Sequence, residues 1–273
     1  MNRSWYPRSL TIVVAAMVVI GASSPLSAED DAAGTLRTAQ ALFYNGSYAA
    51  AATLADALCT TDAESLPACE LHTSSLLFQL RRGMGEAPDR EKAFAACQAC
   101  PALLARFLTE TREAQGVARA RLKANPDEEK TLFFLGKVDL NYVWLQLGIL
   151  GKKTGWDEYW EARRSLDQVL KASPGNIRAK VARAWIDYIV DTRMPRGTRW
   201  VLGGGSKKRG LQAVREAAVA SSDEFVRAEA TFALWDMQVR ERDFPGAVQT
   251  ARGLAIAFPD NVELRKFVAT QTN

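Results

Sequence analysis

From about Leu36 onward, apolar residues recur every three or four positions, and the two-residue alternation of a half-buried strand is absent. This pattern predicts helices in pairs. Leu36 to Leu58 reads as a first hairpin turning at Asn45-Gly46-Ser47, residue types that tolerate positive φ. A second pair covers about Pro67 to Phe107. Gly83, Gly85 and Pro88 interrupt it, and Asp89 is placed to cap its second helix. Pro101 has no amide hydrogen, so it predicts a kink or a fresh helix start. Further helices are expected over Arg106 to Lys123, Glu128 to Leu147, Trp156 to Lys171, Ile177 to Val190 and Lys207 to Ala220. A last hairpin is expected over Phe225 to Ala257, turning at Arg242-Asp243-Phe244-Pro245.

A slower rhythm lies over this one. Ala114 stands twelve positions before Pro126, Ala162 before Pro174, Gly210 before Ser222 and Ala247 before Pro259. The markers step by 48, 48 and 37 residues. A single helical hairpin cannot bury its own apolar face, so it stacks on the next. The small residue lets two helices approach, and the Pro-Asp or Pro-Gly punctuation ends one helix and starts another. Asn45-Gly46-Ser47-Tyr48-Ala49-Ala50-Ala51 resembles the turn of a tetratricopeptide repeat, as does Leu234 to Ala247 followed by Pro259. The resemblance covers roughly residues 33 to 262. It implies an all-α fold, a right-handed α-solenoid of stacked antiparallel hairpins. The 48-residue steps exceed the usual 34, so the middle units are elongated. Those elongated units, with the glycine-rich loop at Gly203, are similar in layout to the periplasmic T-component proteins of TRAP-type transporters. That likeness implies a helper that holds or hands over a solute, or docks onto a binding protein. It transfers no functional residue.

The first 28 residues obey a different logic. Arg3 and Arg8 precede an uncharged run from Leu10 to Ile20, and Leu26-Ser27-Ala28 ends in a small residue. This is the layout of a cleaved secretory signal peptide, and the run is short for a membrane span. The expected division is a signal peptide (1–28), cysteine-bearing N-terminal hairpins (29–124) and C-terminal hairpins (125–273). Without the leader, the net charge falls from +4 to +2, which argues against nucleic acid as a partner. No later segment is apolar enough to cross a bilayer. The expected destination is the periplasm, with secretion as the alternative.

An exported chain can keep disulfides. Cys59, Cys69, Cys97 and Cys100 allow three pairings, and Cys59–Cys69 with Cys97–Cys100 is favoured, because an i,i+3 separation on a helix lies within disulfide reach. The Cys97-Gln-Ala-Cys100 pair is read as sitting inside a helical run, and as structural, since no βαβ pattern supports redox chemistry. The cysteine spacing is loose for zinc, and no metal or cofactor is expected.

Two clusters stand out as binding candidates. The stretch Arg193 to Arg209 holds Arg193, Arg196, Arg199, Lys207, Lys208 and Arg209 around Gly203, Gly204 and Gly205, with no acid. Glycines before a helix start can expose amide hydrogens to an anion, and arginine forks add bidentate contacts. A solvated connection is the plainer reading. The second cluster is aromatic. Trp144, Trp156, Trp160 and Trp185 could line a concave face, with a ligand near Trp144, Trp156 and Trp160, or could simply fill the core. His72 is the only histidine, which excludes two-histidine sites, and it reads as an ordinary surface or packing residue. Asp127-Glu128-Glu129 and Asp157-Glu158 fall in first helical turns, where the dipole favours them. The sum is a non-enzymatic scaffold that docks other envelope proteins. The alternative is a transport accessory that holds a small anionic or hydrophobic solute.

Overall fold

The small-residue markers lie where helices meet. Ala114, Ala162, Gly210 and Ala247 are all buried, and each sits on the second helix of a pair. A Cβ at Gly210 would stand 2.8 Å from the Ala184 carbonyl oxygen, so that crossing admits no side chain. The computed structural model describes residues 26–271 apart from 61, 63, 64, 196 and 198. The candidate leader up to residue 25 and Arg196 lie outside the described residues.

The chain runs through α1 (Leu26–Tyr44), α2 (Tyr48–Leu58), α3 (Leu66–Met84), α4 (Arg90–Ala96), α5 (Cys100–Ala124) and α6 (Glu129–Trp144). A π-helical turn, Leu145–Ile149, extends α6. Then come α7 (Trp156–Ala172), α8 (Ile177–Arg193), α9 (Lys207–Ala220), α10 (Glu224–Arg240), α11 (Phe244–Ala257) and α12 (Val262–Gln271). There is no strand among the described residues. Side-chain caps open several of these helices. Asp89 accepts from the Lys92 amide at 3.0 Å, and Asn176 from Ala179 at 3.0 Å. Asp223 accepts from Phe225 and Val226, and Asn261 from Glu263 and Leu264.

Three local expectations need correction. Cys97 and Cys100 do not lie within one helical run. Cys97 ends α4 and Cys100 begins α5, because Pro101 at the second position of α5 fits a helix start. The helix expected from Arg106 therefore starts at Cys100. Finally, a further helix, α12, follows the last expected hairpin, which ends at Ala257, and of its residues only Leu264 is buried.

Successive helices pack against one another from α1 to α12, with α4 a short spur beside α3 and α5. Contacts also join first helices of different pairs: α1 with α3, α3 with α6, α8 with α10, and α1 with α10. The expected boundary at 124/125 coincides with the turn between α5 and α6, and α3 and α5 both pack on α6 across it.

The α1–α10 contact brings the two ends together. The Tyr44 ring stacks on Phe225 and Phe232, with centroids 6.0 and 5.4 Å away, and lies 5.3 Å from Phe258. The Asn261 amide donates to the Tyr44 carbonyl at 2.8 Å, and Arg82 pairs with Glu263 at 2.8 Å. Inside this closure lies a group of four charges from α3, α6, α8 and α10. Lys137 Nζ is 2.5 Å from Glu229 Oε1, and Arg178 Nε is 2.7 Å from Glu229 Oε2. Glu70 stands 3.8 Å from Lys137 and 3.7 Å from Arg178. Their side chains range from 8% exposed (Glu70) to 26% (Arg178), so water screens them little. The Arg178 guanidinium also lies 4.8 Å from the Phe133 ring centre. Burial alone would push the Glu229 carboxyl upward, but Arg178 and Lys137 outweigh it and hold it down at about 2.

Removing one member leaves its partners buried and uncompensated. Glu229→Ala is expected to destabilise the chain by about 3–5 kcal/mol in denaturant unfolding. Replacing all four charges together with Leu or Met should cost far less than that single change.

Candidate functional site

Two cations at the loop between α8 and α9, Arg199 and Lys207, pair with acids of the chain itself. Arg199 donates to the Met194 carbonyl and pairs with Asp191. The other oxygen of Asp191 accepts from the Lys207 backbone amide at 2.7 Å. Asp191 thus fills the anion position at the start of α9 that the sequence suggested for a ligand. Lys207 Nζ pairs with Glu241 at 2.6 Å. The glycines turn their carbonyls, not their amides, to a cation. Gly203 and Gly204 take positive φ, and Arg163 donates to the Leu202, Gly203 and Gly204 oxygens. Gly205 is needed for close approach, since a Cβ there would meet the Asp187 carbonyl at 2.6 Å. Lys208 and Arg209 are exposed, as is Arg193.

Helical spacing organises the rest. Trp144 lies seven residues after Lys137, and Trp185 seven after Arg178, so each tryptophan shares a helix face with one of the buried cations. The two indoles meet, with ring centres 6.1 Å apart. Arg240 of α10 lies over both, 5.2 Å from Trp144 and 5.8 Å from Trp185, and Asp236 holds it at 2.9 Å. Beside Arg240 opens a cleft of about 260 Å³ lined by Tyr188, Thr192, Arg193, Arg240 and Glu241. Within it, Glu241 is committed to Lys207 and to the Tyr188 hydroxyl, which donates at 2.8 Å. Arg193 has no ion-pair partner among the described residues.

Trp156 and Trp160 belong elsewhere. Both pack edge-on against Tyr159, at 6.2 and 5.3 Å, and the Tyr159 hydroxyl donates to the Leu202 carbonyl. Among the described residues no ring contact joins this group to Trp144, so the suggested spot near Trp144, Trp156 and Trp160 divides into two. Only Trp144 and Trp185 adjoin a cation.

The cysteines pair as favoured, Cys59 with Cys69 and Cys97 with Cys100. His72 is not a surface residue: it is fully buried, and neither ring nitrogen has a hydrogen-bond partner. Glu128 is held down at about 2 by hydrogen bonds from Arg121 and Thr131. Glu129 accepts from Ser173 and Asn176, tying one hairpin turn to the next.

Asp139 of α6 carries no sequence signal that sets it apart. It is fully buried, and Gln115 donates to its Oδ1 at 2.8 Å. Its Oδ2 finds no donor and faces the Glu161 carboxylate, itself bound by Arg119 at 2.5 Å. Burial first, then the charge of Glu161, pushes the Asp139 carboxyl up to about 8, so it keeps its proton at neutral pH. A displaced pKa of this kind often marks chemistry. Here it lies among α5, α6 and α7 and does not line the cleft.

No protein-family model, curated protein or solved structure matches this chain.

The Asp139 proton makes stability pH-dependent. The unfolded chain releases it near pH 4, whereas the folded chain keeps it to about 8, so stability falls as pH rises through that window. Denaturant unfolding between pH 5 and 9 is expected to show this decline, and Asp139→Asn should flatten it.

Proposed function

We propose that this chain is a non-enzymatic docking protein of the cell envelope. In this reading it is exported by the leader 1–28 and built as a right-handed, tetratricopeptide-like α-solenoid. It recognises an acidic side chain of a partner protein at the cleft between the C-terminal ends of α8 and α10. One observation carries the reading. Arg193 lines that cleft with no ion-pair partner among the described residues, beside Arg240 laid across Trp144 and Trp185. Aromatic and arginine side chains together are the residues that anchor interfaces. Two neighbouring cations, Arg199 and Lys207, are spent on internal acids and keep the cleft walls in place.

The transport-accessory alternative rests on the same cations, which would suit a small anionic solute. The cleft is small and polar-walled beside the ordinary apolar ligand pocket, and this favours a partner's side chain over an enclosed solute.

Charge reversal tests the cleft, and the identity of what binds there separates the two readings. Arg193→Glu is expected to reduce recovery of the co-purifying envelope protein at least about tenfold, while Arg209→Glu, on the exposed face of α9, leaves it unchanged. Equal recovery by both variants would remove the cleft from the interface. Native mass spectrometry showing a bound small anion and no protein partner would favour the alternative.

A further inference from the structure

His72 is fully buried on α3, and its Nδ1 points between two carboxylates. Asp56 Oδ1, from α2, is 3.5 Å away, and Glu110 Oε2, from α5, is 3.6 Å away. Both separations are too long for good hydrogen bonds, and the nitrogen has none. The three ligand atoms lie within 4.8 Å of one another. Around a tetrahedral ion with bonds of about 2.0–2.1 Å, neighbouring ligand atoms stand about 3.4 Å apart. The imidazole-to-carboxylate spacings match that edge.

We propose that Asp56, His72 and Glu110 form a three-ligand site for a divalent transition-metal ion of the Zn²⁺ kind. One imidazole nitrogen with two carboxylate oxygens suits such an ion, whereas calcium and magnesium call for all-oxygen shells. The ion neutralises two facing carboxylates and gives Nδ1 the partner it lacks. Nε2 stays unpaired. Arg106 is turned to the carboxylates, 2.6 Å from Asp56 Oδ2 and 3.9 Å from Glu110 Oε1, and gives Nδ1 no hydrogen bond. A neutral imidazole offers one nitrogen lone pair to a metal, and Nδ1 is the nitrogen turned toward both carboxylates.

The surroundings hold the ligands in place. Asp56 lies three residues before Cys59 and His72 three after Cys69, so the Cys59–Cys69 bridge fixes the end of α2 to the start of α3 one turn away from both. Ala114, one turn beyond Glu110, packs on that bridge together with Val138. The Asp56 side chain is 43% exposed, which leaves an approach from solvent and a fourth coordination position for water.

The test is titration of the chelator-treated full chain with ZnCl₂ by calorimetry, beside the visible spectrum with Co²⁺. The expected result is one ion per chain, a raised melting temperature and the absorption of tetrahedral Co²⁺. Asp56→Asn and Glu110→Gln should each weaken binding at least about tenfold. Asp89→Asn, an acid outside the cluster, should not. Both ligand variants change partly exposed side chains, so they decide the matter even if His72→Gln fails to fold. Absent stoichiometric binding, an octahedral Co²⁺ spectrum, or unaltered affinity in both ligand variants would overturn the site.

Discussion

Four charges from four helices meet where water cannot easily reach them, and the arrangement of the hairpins depends on their meeting. Glu70 and Glu229 lie 159 positions apart in the chain, yet both address Lys137 and Arg178. Apolar packing holds neighbouring hairpins together and tolerates sliding. A charge quartet does not tolerate it, because a displaced member strands the others in a low-dielectric interior. The quartet therefore acts less as a source of stability than as a register mark for α3, α6, α8 and α10.

The same helices carry a second layer further along. On α6 and α8 the face that presents Lys137 and Arg178 presents Trp144 and Trp185 two turns later. On α10, Glu229 gives way to Asp236 and Arg240. The inner face thus grades from a sealed ionic end to a half-open one where aromatic rings, a guanidinium and a cleft come together. The cleft's geometry is inherited from the quartet, since any rotation of α8 or α10 that spoiled one would spoil the other.

Much of this is legible in the residues. Helical spacing, Asn45-Gly46-Ser47, the N-capping Asp89 and the buried small markers locate most helices to within a few positions. The favoured cysteine pairing is the one found. The features that escape a sequence reading are set by distant partners. Arg199 and Lys207 look like free cations in a loop without acids, but Asp191 and Glu241 reach them from α8 and from the end of α10. Asp139 and Glu70 are charged residues in helical runs, and nothing local marks them as buried. His72 looks ordinary in sequence because its carboxylate neighbours come from two other helices. Closure through Tyr44 rests on an aromatic that any hairpin turn could carry.

Contact between α1 and α10 has a consequence for how such a chain can change over evolutionary time. An open pile of hairpins can gain or lose a unit at little cost, because each touches only its neighbours. Here Tyr44 must find Phe225, Phe232 and Phe258, and Arg82 must find Glu263. Duplicating or deleting one hairpin would carry those partners past each other. The number of units is therefore constrained by that contact, and a change in length is easiest in the turns.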